Sequence, residues 1–213
     1  RYSAHSLMNT EQTVFIVDDD PDVADAMAML LESTGLRTQR HHSAQEFLKQ
    51  QIAQLVGCVI LDVRMPNMNG LELQREIKRR NANLPVVFVT GHGDVPMAVQ
   101  AMKNGALEFL QKPFRDQEFI DCVYRALKVN SDALDGLNRL TSIKARINSL
   151  TKREYEIMHL IAAGHMTKVV AGKLNISPRT VEIHRARTME KMQAKTLAQL
   201  VQMVLEVEHQ HSV

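Results

Sequence analysis

Four short apolar segments in the first 112 residues of the chain each run directly into a polar residue. Apolar residues at helical spacing follow each segment, and a further strand pattern near residues 37–41 completes five strand–helix units. This alternation predicts an α/β fold, a doubly wound (βα)5 parallel sheet, whose strands' carboxyl ends meet in one crevice. The polar residues expected there are Asp18 and Asp19 after residues 14–17, Asp62 after 58–61, Thr90 after 86–89 and Lys112 after the strand near 106–110.

Beyond residue 128 the patterns are helical only. An amphipathic helix is predicted over residues 129–149, with a bend at Gly136. Thr151 and Glu154 have the spacing of a capping box, and Ser177-Pro178 is typical of a helix start. Two short helices joined by a short turn indicate a helix-turn-helix. The expected boundaries are an N-terminal tail over 1–11, the α/β domain over 12–130, a helical linker over 131–147 and an all-α four-helix domain over 148–213.

Charge and composition restrict the class of partner. Residues 167–192 carry six basic and two acidic side chains, which predicts an anionic partner for the second domain. No apolar stretch approaches the length needed to span a membrane, so no membrane partner is expected. The two cysteines, Cys58 and Cys122, lack metal-type spacing and are expected to be buried thiols in a cytoplasmic protein.

The polar set at the strand ends is suited to accepting a phosphoryl group. A carboxylate nucleophile must first lose its repulsion from the phosphoryl oxygens, and a divalent cation held by neighbouring carboxylates achieves this. Asp62 is the expected nucleophile, while Lys112 and Thr90 are placed to stabilise the phosphoryl oxygens. The expected ligands of Mg²⁺, or of Mn²⁺, are Asp18, Asp19, Asp62 and the backbone carbonyl of Arg64.

The first domain resembles the receiver domain of two-component response regulators over about residues 13–128. The resemblance is carried by the residues just named: Asp18, Asp19, Asp62, Thr90 and Lys112. It implies that Phe109 is an aromatic switch residue that moves with Thr90, and that Lys112-Pro113 is a cis peptide. It also implies that a sensor histidine kinase phosphorylates Asp62. The protein would then be no enzyme beyond self-catalysed phosphorylation and dephosphorylation.

The second domain is similar to the LuxR-type helix-turn-helix over residues 150–154 and 176–185. The whole chain resembles response regulators of the FixJ/NarL family, and residues 90–99 resemble the FixJ branch in particular. The implied function is that of a DNA-binding transcriptional response regulator in a two-component phosphorelay. It would dimerise on phosphorylation and regulate target promoters as an activator, with promoter DNA and RNA polymerase as partners.

Helical geometry divides the arginine-rich helix into two faces. Val181, Thr188 and Met192 cluster on one face and are expected to be buried. The opposite face is expected to enter the major groove and contact bases through Arg179, Glu182, Ile183, Ala186 and Arg187. Contacts with DNA phosphates are expected from Lys168, Lys173, Thr180, His184, Arg185 and Lys191.

Two further predictions concern regulation. Arg64 and His92 each lie two residues after a site residue, so their side chains are expected to overhang the acyl phosphate and control its lifetime. A dimer surface is expected from Val95, Pro96 and Met97 in the receiver and from Leu197, Leu200, Val201 and Val204 in the last helix.

Three other functions are compatible with parts of the sequence. A phosphatase or phosphotransferase with an aspartyl nucleophile is disfavoured because Asp62-Val63-Arg64 lacks a second acid to serve as proton donor. A DNA-binding protein with a vestigial receiver is disfavoured because the acidic set is intact. The third alternative, a protein-binding adaptor whose helical domain never contacts DNA, is distinguished by a DNA-binding experiment.

Overall fold

The structure, a computed structural model, describes residues 12–91 and 95–209. The chain forms two compact units that divide between Leu134 and Asp135. The predicted N-terminal tail over residues 1–11 lies outside the described residues, as does His92. No helix in the described part of the chain is both long enough and apolar enough to cross a membrane.

In its described part, the first unit contains five parallel strands in the order β2-β1-β3-β4-β5, which confirms the predicted doubly wound (βα)5 fold. The strands are β1 (Thr13–Val17), β2 (Arg37–His41), β3 (Gly57–Leu61), β4 (Val86–Thr90) and β5 (Glu108–Gln111). The helices are α1 (Pro21–Ser33), α2 (Ala44–Leu48), α3 (Gly70–Arg80), α4 (Val95–Lys103) and α5 (Asp116–Asn148). The Lys112-Pro113 peptide is cis, as the resemblance implies.

Successive side chains of a strand point to opposite faces of the sheet, and both faces are buried because helices cover them. On one face, Ile16 and Cys58 pack against α1 and α5. On the other, Phe15 and Val59 pack against α2, α3 and α4. The central strands are therefore apolar along their whole length. Cys122 is also fully buried, and burial raises the pKa of its thiol to about 11, so it packs as a small apolar group.

Local sequence signals set the ends of several elements. The Asp20 carboxylate caps α1 by accepting hydrogen bonds from the backbone amides of Asp22 and Val23 at 3.0 and 3.3 Å. β5 begins at Glu108, two residues later than the sequence predicts. The turn between α4 and β5 passes through Gly105, whose φ of 81° lies in the left-handed region that glycine adopts readily.

A single helix, α5, includes both the last receiver helix and the predicted linker. It is uninterrupted at Gly136, where the sequence predicts a bend, although glycine costs about 1 kcal/mol relative to alanine inside a helix. Ile143 is 2% exposed and packs in the core of the second unit. The C-terminal part of the predicted linker therefore contributes to that core.

The second unit adds four helices to the end of α5, as the four-helix prediction requires. They are α6 (Lys152–Ala162), α7 (Thr167–Leu174), α8 (Pro178–Met192) and α9 (Leu197–Glu208). Thr151 and Glu154 form the predicted capping box at α6. Ser177 caps α8 by accepting a hydrogen bond from the Thr180 amide at 3.1 Å. Asn175, with a φ of 52°, makes the tight turn between α7 and α8.

Candidate functional sites

Hydrogen bonds that extend the sheet hold the backbone of the predicted phosphoryl site. Thr90 ends β4, while Asp18, Asp62 and Lys112 directly follow strands and still pair through their backbone amides with a neighbouring strand. The bonds run from the Asp18 amide to the His41 carbonyl at 3.1 Å, from Asp62 to Val17 at 3.0 Å and from Lys112 to Thr90 at 2.9 Å. The strand ends therefore bring these residues to one edge, as the topology predicts.

Asp18 and Lys112 form an ion pair in this site. The Lys112 ammonium lies 2.8 Å from the Asp18 Oδ2, and the other carboxylate oxygen accepts a hydrogen bond from the Asp20 amide at 3.0 Å. The Asp18 side chain is only 3% exposed, whereas that of Lys112 is 23% exposed. The pair holds the positive charge of Lys112 beside Asp62, and this charge remains partly accessible from solvent.

Asp62 is half-buried and bonded on several sides. Its Oδ2 accepts a hydrogen bond from the Arg64 amide at 3.0 Å, and the Thr90 hydroxyl hydrogen-bonds to its carboxylate. Burial raises the pKa of Asp62 above its ordinary value, and the Asp18 charge adds to the rise. The rise in pKa is offset only in part by the hydrogen bonds from Thr90 and the Arg64 amide and by the charge of Lys112.

The donors at this edge fit Mg²⁺, which takes one or two carboxylates and keeps several waters. Asp18 and Asp62 lie close enough for their charges to interact, and Asp19 is exposed beside them. A cleft of about 440 Å³, lined by Asp19, Arg64 and Asn69 among others, opens at this edge. Within the described residues, no three acidic, histidine or cysteine side chains enclose a metal by themselves. A cation here would therefore need water or phosphoryl oxygens to complete its shell.

The two predicted switch residues are held by different contacts. Thr90 is 1% exposed, with its hydroxyl already bonded to Asp62. Phe109 is half-buried, and its ring centroid lies 6.0 Å from that of Phe88 in the core beneath α4. Arg64, one of the two predicted lifetime residues, is exposed at the cleft. His92, the other, lies outside the described residues.

The receiver part of the predicted dimer surface is exposed to different degrees. Met97 is half-buried, because it packs against the core beneath α4, and it lines the cleft beside Arg64. The exposed apolar face of α4 consists instead of Val95, Val99 and Met102, which are 77%, 46% and 45% exposed. Their spacing of four and three residues places them on one side of the helix. Pro96 is exposed beside them.

The predicted dimer surface on the last helix is wrong at two residues. Leu200 and Val204 are 0% and 4% exposed, because they pack in the core of the second unit. They cannot also contact another molecule. An apolar groove lies instead along the side of α9 formed by Leu197, Ala198, Val201, Gln202 and Leu205. The sequence locates the apolar helix but assigns two of its core residues to the surface.

α8 has the two faces that its periodicity predicts. Val181, Thr188 and Met192 are buried in the second unit. The predicted base-contacting residues are all exposed: Arg179, Glu182, Ile183, Ala186 and Arg187. This arrangement leaves two guanidinium groups, a carboxylate and two apolar side chains exposed on one face, and these are the groups that recognise base edges in the major groove.

The predicted phosphate contacts differ in their availability. Lys168 and Lys173 are exposed, and the Lys173 ammonium lies 3.0 Å from the His165 Nε2. Thr180, His184 and Arg185 are half-buried. The His184 Nδ1 is buried without a hydrogen-bond partner among the described residues.

Lys191 forms an ion pair within the second unit. Its ammonium lies 2.6 Å from the Glu154 Oε2, and the Glu154 side chain is only 4% exposed. The same carboxylate oxygen accepts the Thr151 amide at 2.8 Å, which completes the capping box of α6. Lys191 therefore neutralises a buried carboxylate, while its own side chain is 37% exposed, and its contact with a DNA phosphate stays a prediction.

Neutralising that carboxylate is expected to destabilise the second unit. Glu154→Gln should lower the free energy of unfolding by about 1–3 kcal/mol at pH 7, because Lys191 loses its charged partner. Hydrogen bonds from Lys191 and the Thr151 amide lower the pKa of Glu154 to about 2 from an ordinary value of 4.5. The stabilisation is thus complete above pH 4.5 and is lost as the pH falls towards 2.

Urea denaturation of the full chain, followed through the amide NMR signals of α8, measures this difference at pH 7 and in acid. Glu156→Gln is the matched control. Glu156 pairs with Arg153 at 2.9 Å on the same helix, but both side chains are 34% exposed, so the expected loss is below about 1 kcal/mol. Equal losses from the two substitutions would contradict a special role for Glu154.

Comparison with known proteins assigns a family to both units. The sequence pattern described as "Response regulator receiver domain" matches residues 14–124, and the one described as "Bacterial regulatory proteins, luxR family" matches residues 148–204. The chain is 42% identical over 196 residues to the transcriptional regulatory protein FixJ of Rhizobium meliloti, an alignment that covers 92% of this chain and 96% of that protein.

Two further relatives agree with this. Nodulation protein W of Bradyrhizobium diazoefficiens is 40% identical over 199 residues, which are 93% of this chain and 88% of that protein. The solved structure of the response regulator StyR is 39% identical and matches with a TM-score of 0.82 over 92% of this chain and 99% of that one. The chain therefore belongs to the FixJ/NarL family of DNA-binding transcriptional response regulators, in which a receiver domain precedes a LuxR-type helix-turn-helix domain.

Proposed function

We propose that Asp62 accepts a phosphoryl group from a partner sensor histidine kinase, and that this phosphorylation controls the binding of α8 to promoter DNA. The observation that carries the proposal is the convergence of Asp18, Asp62, Thr90 and Lys112 at one edge of the sheet. The same chain carries an exposed face of arginines on α8. A phosphoryl acceptor and a DNA-binding face in one molecule together suit a signal-controlled regulator of transcription.

In the proposed transfer, a carboxylate oxygen of Asp62 attacks phosphorus while the phosphorus–nitrogen bond of the donor phosphohistidine breaks. Lys112 and the Thr90 hydroxyl interact with the phosphoryl oxygens and stabilise the charge that develops on them. Mg²⁺, or Mn²⁺, held by Asp18, Asp19, Asp62 and the Arg64 carbonyl supplies further neutralisation when bound. Arg64 and His92 are proposed to control the access of water to the acyl phosphate.

The proposed switch starts from the hydrogen bond between Thr90 and Asp62. An acyl phosphate brings about two negative charges and new acceptor oxygens to Asp62. Thr90 and Lys112 would exchange their present carboxylate partners for phosphoryl oxygens, and Phe109 would repack beside Phe88. The exposed face of α4 would then pair with that of a second copy. Two DNA-binding units on adjacent half-sites would bind far more tightly than one.

The proposed output is activation of target promoters together with RNA polymerase, in the bacterial cytoplasm where that DNA lies. Catalysis is limited in this proposal to self-catalysed phosphorylation and dephosphorylation. A phosphatase activity is disfavoured because Arg64 occupies the position where a second acid would protonate a leaving group. Residue 64 is exposed beside the cleft, which is where the side chain of a proton-donating acid would need to lie.

The test uses the full chain with acetyl phosphate and Mg²⁺. Labelling should add one phosphoryl group, shift the chain from monomer to dimer in light scattering, and raise its affinity for DNA recovered by binding-site selection by at least about tenfold. EDTA in place of Mg²⁺ is the control and should prevent all three changes. Repeated turnover of an external phosphoester would instead support an enzyme, and labelling without any change in DNA affinity would contradict the proposed control.

A further inference from the structure

A contact between the two helices of the helix-turn-helix bears on base selection. The hydroxyl of Thr167, the first residue of α7, lies 2.6 Å from the Oε1 of Glu182 on α8. An ionised carboxylate has no proton to donate, so the Thr167 hydroxyl is the donor. Such a charge-assisted bond is short and stronger than a bond between neutral groups. The contact joins residues 15 positions apart in the sequence.

Among the described residues, only one oxygen of the Glu182 carboxylate has a partner within the unit. The Arg185 guanidinium also approaches Oε1, at 3.6 Å, and the Glu182 side chain remains 53% exposed. Among the described residues, Oε2 has no hydrogen-bond partner. The carboxylate is therefore held through one oxygen while the other remains available to a ligand on the exposed face of α8.

The chemistry of that free oxygen limits what it can recognise. A carboxylate oxygen accepts hydrogen bonds and is repelled by DNA phosphates and by acceptors on base edges. In the major groove, cytosine presents the N4 amino group as a donor, whereas adenine places its N7 acceptor beside its N6 donor. A positioned Glu182 therefore favours a base pair that presents the cytosine amino group.

Positioning matters because a free glutamate side chain samples many rotamers, and that freedom must be given up when the side chain binds a base. The Thr167 hydroxyl is not needed to cap α7, because the N-cap residue is Met166 and it makes no side-chain cap bond. The hydroxyl is therefore available to restrain the Glu182 side chain. Removal of the hydroxyl would thus leave the cap of α7 unchanged.

We propose that Thr167 is a positioning residue that holds Glu182 in the orientation needed to select cytosine, so that the Thr167–Glu182 pair sets base specificity at one position of the DNA site. The inference rests on the proposed DNA-binding role of α8 and deepens it. Thr167 itself contacts no base in this scheme. It acts only through the glutamate.

The experiment selects binding sites from randomised DNA with the full chain and compares four proteins. The wild type should prefer cytosine at one position, and Glu182→Ala should reduce that preference by about tenfold to a hundredfold. Thr167→Val, which removes the hydroxyl but keeps a β-branched shape, should reduce the preference at the same position by about threefold to tenfold. Thr167→Ser, which restores the hydroxyl, should recover it. Affinity for non-specific DNA should be unchanged in the two Thr167 variants, whereas Glu182→Ala should raise it, because the substitution removes a charge that DNA phosphates repel.

A double substitution separates positioning from a structural role. In the Glu182→Ala background, Thr167→Val should change nothing further, because the residue it positions is gone. An equal effect of Thr167→Val in both backgrounds, or an unchanged preference in Thr167→Val alone, would overturn the proposal. If Thr167→Val lowers stability in thermal denaturation, Thr167→Ala provides the same comparison.

The outcomes also distinguish this inference from the proposed function. If Glu182→Ala leaves every base preference intact while Arg179→Ala relaxes one, then α8 recognises DNA without Glu182 and only the inference on Thr167 is overturned. If the wild type binds DNA without any sequence preference, the proposed promoter recognition fails as well.

Discussion

Asp62→Asn is expected to abolish labelling of the full chain by acetyl phosphate and Mg²⁺, so that the mass increase of one phosphoryl group disappears. An amide oxygen is too weak a nucleophile to attack phosphorus. The amide can still accept the hydrogen bonds that Asp62 receives from the Arg64 amide and Thr90, so the fold should be preserved. Mass spectrometry of the intact protein measures the result, and circular dichroism verifies the fold.

A matched control is available two residues beyond Asp18. Asp20 is exposed and caps α1, and asparagine is as good a cap as aspartate, so Asp20→Asn makes the same chemical change without affecting the acceptor. It should be labelled at the rate of the wild type. Asp19→Asn should be labelled more slowly and require more Mg²⁺. Normal labelling of Asp62→Asn would exclude Asp62 as the acceptor.

Val95→Asp is expected to separate phosphorylation from its consequences. The substitution places a charge in the exposed face formed by Val95, Val99 and Met102, and burying an unpaired charge in an interface is costly. Labelling at Asp62 should be unchanged, while dimerisation should weaken at least about tenfold and the gain in DNA affinity should be lost with it. An acidic residue in the first turn of α4 suits the helix dipole, so the helix should persist.

Met29→Asp is the control for this experiment. Met29 is 67% exposed on α1, which packs on the opposite face of the sheet from α4. Light scattering and gel-shift titration, each with and without acetyl phosphate, should give wild-type behaviour for Met29→Asp. A phosphorylated wild type that stays monomeric and yet binds DNA more tightly would contradict dimerisation as the link.

The sequence by itself determines those features that follow from local patterns and from the topology they imply. Apolar strand segments predict a parallel sheet, and the ends of parallel strands converge whatever the surrounding packing. For this reason the sequence alone predicts that Asp62, Thr90 and Lys112 lie together. Helix starts at Thr151 and Ser177 are equally local, because a cap bonds to amides only two or three residues away.

Only the tertiary structure decides which side chains of an amphipathic helix are buried and which charged groups pair. Leu200 and Val204 are apolar and four residues apart, as residues of a dimer surface on this helix would also be. They are buried because neighbouring helices pack against them. Lys191 pairs with Glu154 across 37 residues, and Thr167 bonds to Glu182 across 15. Periodicity assigns a residue to a face of its own helix, but the partner of that face depends on how distant segments pack.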